Sequence, residues 1–259
     1  MKTIKISGLI LAIAFAFTLS AYSVALAGEK GHSAPHWTYQ GEGSPDKWGE
    51  LSPDYGTCSQ GKTQSPIDIK GAQQEELSPI DFSYFGIKTA KVLNNGHTLQ
   101  VNYANGSMIS INGKEYDLVQ FHFHAPSEHS IDGKLADMEL HFVHKNGDGK
   151  LAVVGVLMKR GAENETIAKL WANLPKKAND ATDVKTAFNA SDLLPVEKGY
   201  FNYSGSLTTP PCSEGVNWLV LKNPIEMSEA QIKAFTGIIG KSNRPVQPIN
   251  KRKLKGSAF

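Results

Sequence analysis

The stretch LAVVGVLMK, residues 151–159, is apolar at odd and even positions alike until its final lysine. A strand with one face in water alternates apolar and polar side chains, whereas a strand covered on both faces does not need to. The stretch therefore predicts a central strand of a large sheet, buried on both faces.

Several short segments predict further strands around this one. Asn95-Gly96 and Asn112-Gly113 each lie between apolar runs, where Asn-Gly favours a two-residue hairpin turn. The alternating or β-branched segments are residues 91–103, 106–118, 118–125, 138–145 and 216–222.

Helical spacing of apolar residues occurs in two segments, residues 164–177 and 228–240. In the second, Ser228 and Gln231 match a capping box. Residues 28–66 are rich in Gly, Pro, Ser and Trp without periodicity, which indicates an irregular N-terminal arm. The predicted fold class is α+β and β-dominated, a single domain built on a large, mostly antiparallel, twisted central sheet with a few peripheral helices.

The N-terminus differs from the rest of the chain. Two lysines precede an uncharged apolar stretch, residues 6–27, which ends in the small-x-small pattern Ala25-Leu26-Ala27. This predicts a secretory signal peptide over residues 1–27 and export, to a bacterial periplasm or outside the cell. The rival interpretation is an uncleaved anchor, because the run is just long enough to span a bilayer, but Ser20 and Ser23 weaken its far end.

Residues 28–259 have ordinary globular composition, without repeats or linkers, which favours one domain. Removing the two leader lysines from 27 basic residues leaves 25, which equals the 25 acidic residues. This balance favours neither nucleic acid nor a membrane surface as a partner once the leader is removed. The sequence leaves the oligomeric state open, and a homodimer is one option.

The chain has two cysteines, Cys58 and Cys212. In an exported protein they most simply form one disulfide, and the alternative is two buried free thiols. A bridge would close a loop of about 150 residues, which the chain-entropy model equates with at most about 5 kcal/mol of stabilisation.

Histidines are concentrated in the stretch QFHFHAPSEH, residues 120–129. Because strand side chains alternate between faces, Gln120, His122 and His124 would share one face, with two phenylalanines on the other. In the segment 138–145, Glu139 and His141 would share a face in the same way.

If these two strands are neighbours, His122, His124 and His141 converge. Three neutral nitrogen ligands with a fourth position open are typical of catalytic zinc, whereas structural sites use four protein ligands. Gln120 and Glu139 would each bind the second ring nitrogen of a ligand histidine. The alternative is a set of hydrogen-bonded core histidines.

Four other histidines give no metal signal. His129 and His144 are out of phase with the ligand candidates, which favours structural roles, and His32 and His36 lie in the arm without a clear pattern.

The sequence resembles the α-class carbonic anhydrases over nearly the whole mature chain, and the leader resembles the bacterial, exported members. The motifs that carry the resemblance occur in the family's order: HWTYQG (36–41), QSPIDI (64–69), LNNGH (93–97), QFHFH (120–124), SEH (127–129), ELHFVH (139–144), LAVVGV (151–156), GSLTTPP (205–211), NWLVLK (217–222) and RPVQP (244–248).

The resemblance implies a zinc enzyme that hydrates CO2 reversibly to bicarbonate and a proton, by attack of zinc-bound hydroxide. It implies that His122, His124 and His141 are the zinc ligands. Thr208 would accept a hydrogen bond from the hydroxide and donate its own proton to Glu128.

The resemblance also assigns His97, which follows the turn at Asn94-Asn95-Gly96, as the proton shuttle. An exposed hairpin histidine is the alternative. The residues that would hold CO2 beside the metal form an apolar wall, with Thr209 as a second pocket threonine: Val143, Val153, Leu207, Val216 and Trp218.

Three positions depart from the family pattern. Ala125 stands where vertebrate members often have Trp, so the packing behind the metal differs. Gln100 stands where Asn is common near the shuttle. The segment KSNRP, residues 241–245, is unusual, and the backbone carbonyl that would support His124 stays unassigned.

Other metal-binding families fit less well. HFHAPSE matches the cupin pattern His-x-His-x3-Glu, which would make Glu128 a ligand, but Tyr116 replaces the expected glycine and no His-x3-Asn follows His141. The metallo-β-lactamase pattern fails because Pro126 occupies its aspartate position. A non-enzymatic, carbonic-anhydrase-like binding or zinc-storage protein is the remaining rival, although such proteins typically lose a ligand histidine.

Overall fold

The computed structural model describes residues 36–103 and 106–259. The predicted leader, residues 1–27, and His32 lie outside the described residues. The described strands are β1 (Asp68–Ile69), β2 (Gln73–Glu75), β3 (Asp81–Ser83), β4 (Ala90–Asn94), β5 (Leu99–Asn102), β6 (Met108–Ile111), β7 (Lys114–His124), β8 (Ser130–Ile131), β9 (Lys134–Leu135), β10 (Met138–Lys145), β11 (Leu151–Arg160), β12 (Ala181–Val184), β13 (Tyr200–Ser206), β14 (Glu214–Leu221), β15 (Ile225–Met227) and β16 (Lys255–Ser257).

The helices are short. The described α-helices are α1 (Trp48–Leu51), α2 (Thr57–Gln60), α3 (Glu165–Leu170) and α4 (Glu229–Thr236), and 3₁₀ turns lie at Gly41–Gly43, Pro53–Tyr55 and Ala190–Leu193. Among the described residues, no helix is long and apolar enough to cross a membrane.

One large sheet organises these elements, in the order β12-β4-β5-β7-β10-β11-β14-β13-β16-β2, and a small sheet has the order β1-β8-β9. Most neighbours in the large sheet are antiparallel, but β11 pairs with β14 and β15 in parallel, and β16 pairs with β2 in parallel. The predicted β-dominated α+β fold is confirmed, with a sheet that is mixed.

Both faces of the sheet are covered. Strand β11 lies between β10 and β14, and its residues from Ala152 to Met158 are all buried, as the LAVVGVLMK stretch predicted. On one face, Phe121, Phe123 and Phe142 belong to the main hydrophobic core. On the other face a smaller apolar cluster contains Val153 and Trp218. The alternation within each strand therefore separates the face of the main core from the face that carries His122, His124 and His141.

The two predicted helices have different outcomes. Helix α4 begins after Ser228, whose hydroxyl accepts the Gln231 N–H at 3.2 Å while the Gln231 side chain accepts the Ser228 N–H at 3.0 Å, so the predicted capping box is present. The predicted helix over 164–177 is too long, because α3 ends at Leu170. Pro175 cannot donate a backbone hydrogen bond, which is consistent with the early end.

Candidate metal centre

The pairing of β7 with β10 brings the candidate ligands together. In this antiparallel register His141 lies opposite His122, and Glu139 lies opposite His124. The ring centroids of the three histidines are 4.6–5.3 Å apart. Residues that are distant in sequence thus meet because the two strands are neighbours, which is the condition that the sequence prediction set.

Each of these rings is oriented by an acceptor on one of its nitrogens. His122 Nδ1 lies 2.9 Å from Gln120 Oε1, and His141 Nε2 lies 2.9 Å from Glu139 Oε1. His124 Nδ1 lies 2.6 Å from the backbone oxygen of Ser242. These contacts place the proton on the outer nitrogen and leave His122 Nε2, His124 Nε2 and His141 Nδ1 available.

The available nitrogens suit a cation. The three histidines can each offer a ligand atom within 4.8 Å of the others. His124 Nε2 is buried and has no hydrogen-bond partner in the described part of the chain. Burial lowers the pKa of His122 and His124, which keeps both rings in the neutral form that metals bind. An orphaned buried nitrogen in a set of three imidazoles fits the donor set of catalytic zinc.

Glu139 is the centre of a second, hydrogen-bonded cluster. Its Oε2 accepts the N–H groups of Glu128 and His129, each at 2.8 Å, and its Oε1 also receives His129 Nδ1 at 2.7 Å. Burial alone would raise the pKa of Glu139, but His129 and His141 outweigh it and hold that pKa well below its usual range. Because its oxygens are already satisfied, this cluster orients His141 and is not a competing metal site.

His129 and His144 lie in structural networks, as their phase indicated. His129 Nε2 is 2.7 Å from the hydroxyl of Tyr203, and His144 Nε2 is 2.7 Å from the hydroxyl of Tyr84. All four side chains are buried.

Glu128 lies beside the candidate ligands and is fully buried. Its Oε1 accepts the Arg244 backbone N–H at 2.8 Å. Its Oε2 has no hydrogen-bond partner among residues 36–103 and 106–259, and lies 3.7 Å from His124 Nε2 and 3.9 Å from His141 Nδ1. Thr208 is also buried, at 5% exposure. One Glu128 oxygen is therefore left as an acceptor, and the described contacts include no hydrogen bond between it and the Thr208 hydroxyl.

The predicted apolar wall belongs to the smaller hydrophobic cluster. Adjacent strands place Val143 opposite Val153, and Val153 opposite Trp218, in one row across the sheet. All five wall residues lie in that cluster or pack on it: Val143, Val153, Leu207, Val216 and Trp218. Thr209 is partly buried in the turn that follows.

His97 follows the predicted turn. The Asn95 side chain accepts the N–H groups of His97 and Thr98 at 3.0 and 2.9 Å. Thr98 in turn bonds the backbone of Phe123, which lies between two candidate ligands, at 2.5 and 3.2 Å. The turn therefore holds His97 near the ligand-bearing end of β7.

The His97 ring is stacked on Trp37, with centroids 3.6 Å apart and planes 10° apart, and His36 lies 5.6 Å away. Burial, with a smaller effect of His36, lowers the pKa of His97 to about 4. In this position the ring is neutral at pH 7.

The predicted disulfide is confirmed. Cys58 and Cys212 are bonded, and Cys212 N–H donates to the Thr209 oxygen at 2.8 Å. The bridge therefore fixes the turn that follows Thr208 to helix α2.

Sequence reasoning did not find three residues of this region. The Ser242 carbonyl, left unassigned, supports His124, and Trp37 stacks on His97. The Tyr39 hydroxyl is buried and has no hydrogen-bond partner among the described residues, and burial and the Glu128 carboxylate raise its pKa well above the usual value. Trp37 and Tyr39 belong to the motif HWTYQG, which could have indicated them as candidates. The Ser242 contact could not be predicted, because every residue has a backbone carbonyl whatever its side chain.

Comparison with known proteins gives consistent results. The family model described as eukaryotic-type carbonic anhydrase matches residues 43–258. The chain is 47% identical over 222 residues to a carbonic anhydrase of Klebsiella pneumoniae, covering 85% of this chain and 90% of that protein. It is 45% identical over 218 residues to one of Pectobacterium carotovorum, covering 84% and 89%. The solved α-carbonic anhydrase of Thermovibrio ammonificans with the inhibitor sulfanilamide is 44% identical, with a TM-score of 0.83, covering 86% of this chain and all of that one.

Proposed function

The chain belongs to the eukaryotic-type, or α, carbonic anhydrase family, whose members are lyases, and we propose that it catalyses the zinc-dependent, reversible hydration of CO2 to bicarbonate and a proton. Family and fold support the reaction. The observation that carries the zinc assignment is the orphaned Nε2 of His124 within three converging imidazoles.

The metal would be held by His122, His124 and His141, since each has its outer nitrogen committed to an acceptor and its inner nitrogen available. When bound, Zn²⁺ lowers the pKa of a coordinated water to about 7, an effect of which carbonic anhydrases are the standard example, and so supplies hydroxide near neutral pH. Gln120, Ser242 and Glu139 fix the ring orientations and tautomers.

Thr208 and Glu128 would orient the attacking oxygen. The Glu128 carboxylate has one oxygen bound to Arg244 N–H and one without a partner. If the Thr208 hydroxyl donates a hydrogen bond to that free oxygen, it has no hydrogen left to donate toward the metal centre. There it can only accept a hydrogen bond. The attacking oxygen is thereby turned so that a lone pair points toward the substrate carbon.

The substrate would sit against the apolar wall. CO2 is small and uncharged, and a row formed by Val143, Val153 and Trp218 offers contact without a competing hydrogen-bonding group. Thr209 would border the pocket. His97 would carry the released proton outward to buffer after its ring leaves Trp37, since a solvated histidine can exchange protons near neutral pH.

Stopped-flow CO2 hydration on zinc-loaded protein tests this proposal. We expect turnover in the wild type and a loss of at least about 100-fold in His141→Ala, because one of three ligands is gone. Zinc content is measured on both proteins. A wild type with full zinc occupancy but without hydration activity would favour the zinc-binding protein instead.

Location and assembly are part of the same proposal. The confirmed disulfide supports an exported enzyme, in a periplasm or outside the cell. Cleavage after Ala27 and a homodimeric assembly are checked by the N-terminal sequence and the sedimentation mass of the secreted protein.

A further inference from the structure

Charge is unevenly distributed along this nearly neutral chain. The last thirty residues, 230–259, contain no Asp or Glu but have seven basic residues: Lys233, Lys241, Arg244, Lys251, Arg252, Lys253 and Lys255. Subtracting these seven from the 25 basic residues after the leader leaves 18, against all 25 acidic ones, in residues 28–229. The C-terminal segment is therefore strongly basic, although the chain after the leader has equal numbers of basic and acidic residues.

Part of this segment lines a groove on the molecular surface. The groove has a volume of about 500 Å³ and is lined by Lys62, Thr63, Asn250, Lys251 and Arg252. The Asn250 side chain donates to the Lys62 oxygen at 2.8 Å, which joins the two walls. Lys253 is exposed next to it in the chain. We call these residues the basic groove.

Within the described residues, the lysines of the basic groove form no ion pair with an acidic side chain. Lys233 and Lys255 of the same segment are paired with Glu229 and Glu75, at 2.7 and 2.6 Å. In the described ranges, no comparable ion pair involves the exposed lysines of the groove: Lys62, Lys251 and Lys253. Their charges are therefore available to a ligand.

Arg252 adds a positive charge that is held in place. Its guanidinium donates to the backbone oxygens of Ile249, Ser204 and Pro248, at 2.9, 3.0 and 2.7 Å, and to no side chain in the part of the chain that the structure describes. Carbonyl oxygens orient a guanidinium but do not cancel its charge. It also lies over the ring of Tyr203, 5.4 Å from the centroid.

One carboxylate acts on this group. Burial lowers the pKa of Arg252, and this lowering outweighs the smaller, opposite effects of Tyr203 and the Glu214 carboxylate. Its Oε1 is occupied by the Thr63 N–H and the Gln64 side chain, at 2.6 and 3.0 Å. The groove lining thus has three cations, Lys62, Lys251 and Arg252, with the exposed Lys253 next to them in the chain, and the carboxylate that acts on Arg252 is already hydrogen-bonded.

We propose that the basic groove binds a linear anionic polysaccharide that carries sulfate or phosphate ester groups. The lysine ammonium groups and the Thr63 hydroxyl would bind the ester oxygens, and the aliphatic lysine stems would contact the sugar rings. A concave groove of this volume receives a chain, whereas a flat lipid surface would reach only its rim. The proposal is independent of catalysis and concerns a surface that the metal centre does not use.

Titration calorimetry with a heparin octasaccharide as probe tests this binding. We expect binding by the wild type that weakens steeply as salt is raised. The variant K62Q/K251Q/K253Q should lose about 100-fold in affinity, since each lysine near an anionic surface contributes roughly fivefold.

The matched control is K88Q/K176Q/K177Q, which removes three exposed lysines and the same net charge outside the groove. It should change the affinity by less than about threefold. Equal losses in the two variants would show that net charge alone attracts the probe, and would overturn the proposal. So would wild-type binding to phosphatidylglycerol vesicles or to duplex DNA that exceeds binding to the octasaccharide. Thermal melting of both variants establishes that they are folded.

Discussion

The His97 ring shows how one contact sets a chemical property. Burial, to which the stacked Trp37 contributes, and to a smaller extent His36 lower the pKa of the imidazole to about 4, so near pH 7 it accepts a proton poorly. A shuttle works best when its pKa is close to the working pH. The proposed proton transfer through His97 would therefore require the ring to leave Trp37.

Replacing Trp37 tests the cause of this low pKa. In Trp37→Ala the imidazole regains solvent, and its pKa should rise from about 4 toward 6.5. Proton NMR titration measures the pKa, with His97→Ala used to assign the resonance. A pKa that stays near 4 in the variant would show that Trp37 is not the source of the shift.

Removing His97 tests its role in proton transfer. His97→Ala should slow CO2 hydration on the order of 100-fold in weak buffer, and added imidazole should restore the rate by carrying the proton instead. Stopped-flow assays over a buffer series make the comparison. A variant that is equally slow at every buffer concentration would mean that His97 acts in some other way.

Much of the candidate centre could be predicted at the residue scale, because strand alternation is local. It put His122 and His124 on one face and gave each ligand strand a polar partner two positions away. The Ser242 carbonyl could not be predicted in this way, because it approaches His124 from 118 residues away through backbone geometry. Contacts of that kind depend on the folded chain.

The secondary-structure elements also show that local patterns could be predicted and long-range contacts could not. Strands with strong apolar patterning, such as β7, β10 and β11, appear where the sequence predicted them. The edge pairing of β16 with β2 was not predicted, since Lys255–Ser257 and Gln73–Glu75 are short, polar and far apart in sequence. Helix α3 was overestimated because apolar spacing continues past Leu170 while the chain does not continue as a helix.

Removing the disulfide tests how much the link between helix α2 and the turn after Thr208 stabilises the protein. Cys58→Ser/Cys212→Ser should lose up to about 5 kcal/mol of unfolding free energy, because the bridge closes a loop between residues 154 apart. Urea unfolding measures the loss. The single variant Cys58→Ser should lose as much as the double one, since either change opens the bridge. Unfolding free energies equal to that of the oxidised wild type would contradict this role.

At the scale of the whole molecule, the two faces of the sheet differ: one packs the main core and the other borders the candidate metal centre. The face with Phe121, Phe123 and Phe142 carries the main core, and the face with Val153 and Trp218 carries the smaller cluster beside the histidines. His144 is an exception, because it is a titratable group bound to Tyr84 within the structural part. Its protonation should therefore affect the stability of the entire domain.

Burial lowers the pKa of His144 to about 3, against 6.5 for an ordinary histidine. Between these values the unfolded chain binds a proton that the folded chain does not, so stability is lost as pH falls below about 6.5. At pH 5 the loss of unfolding free energy from this group is about 2 kcal/mol.

His144→Gln keeps a polar partner for Tyr84 but does not titrate. Urea unfolding at pH 7 and pH 5 should therefore show a decrease about 2 kcal/mol smaller in the variant than in the wild type. Identical decreases would mean that His144 does not control the acid sensitivity of the fold.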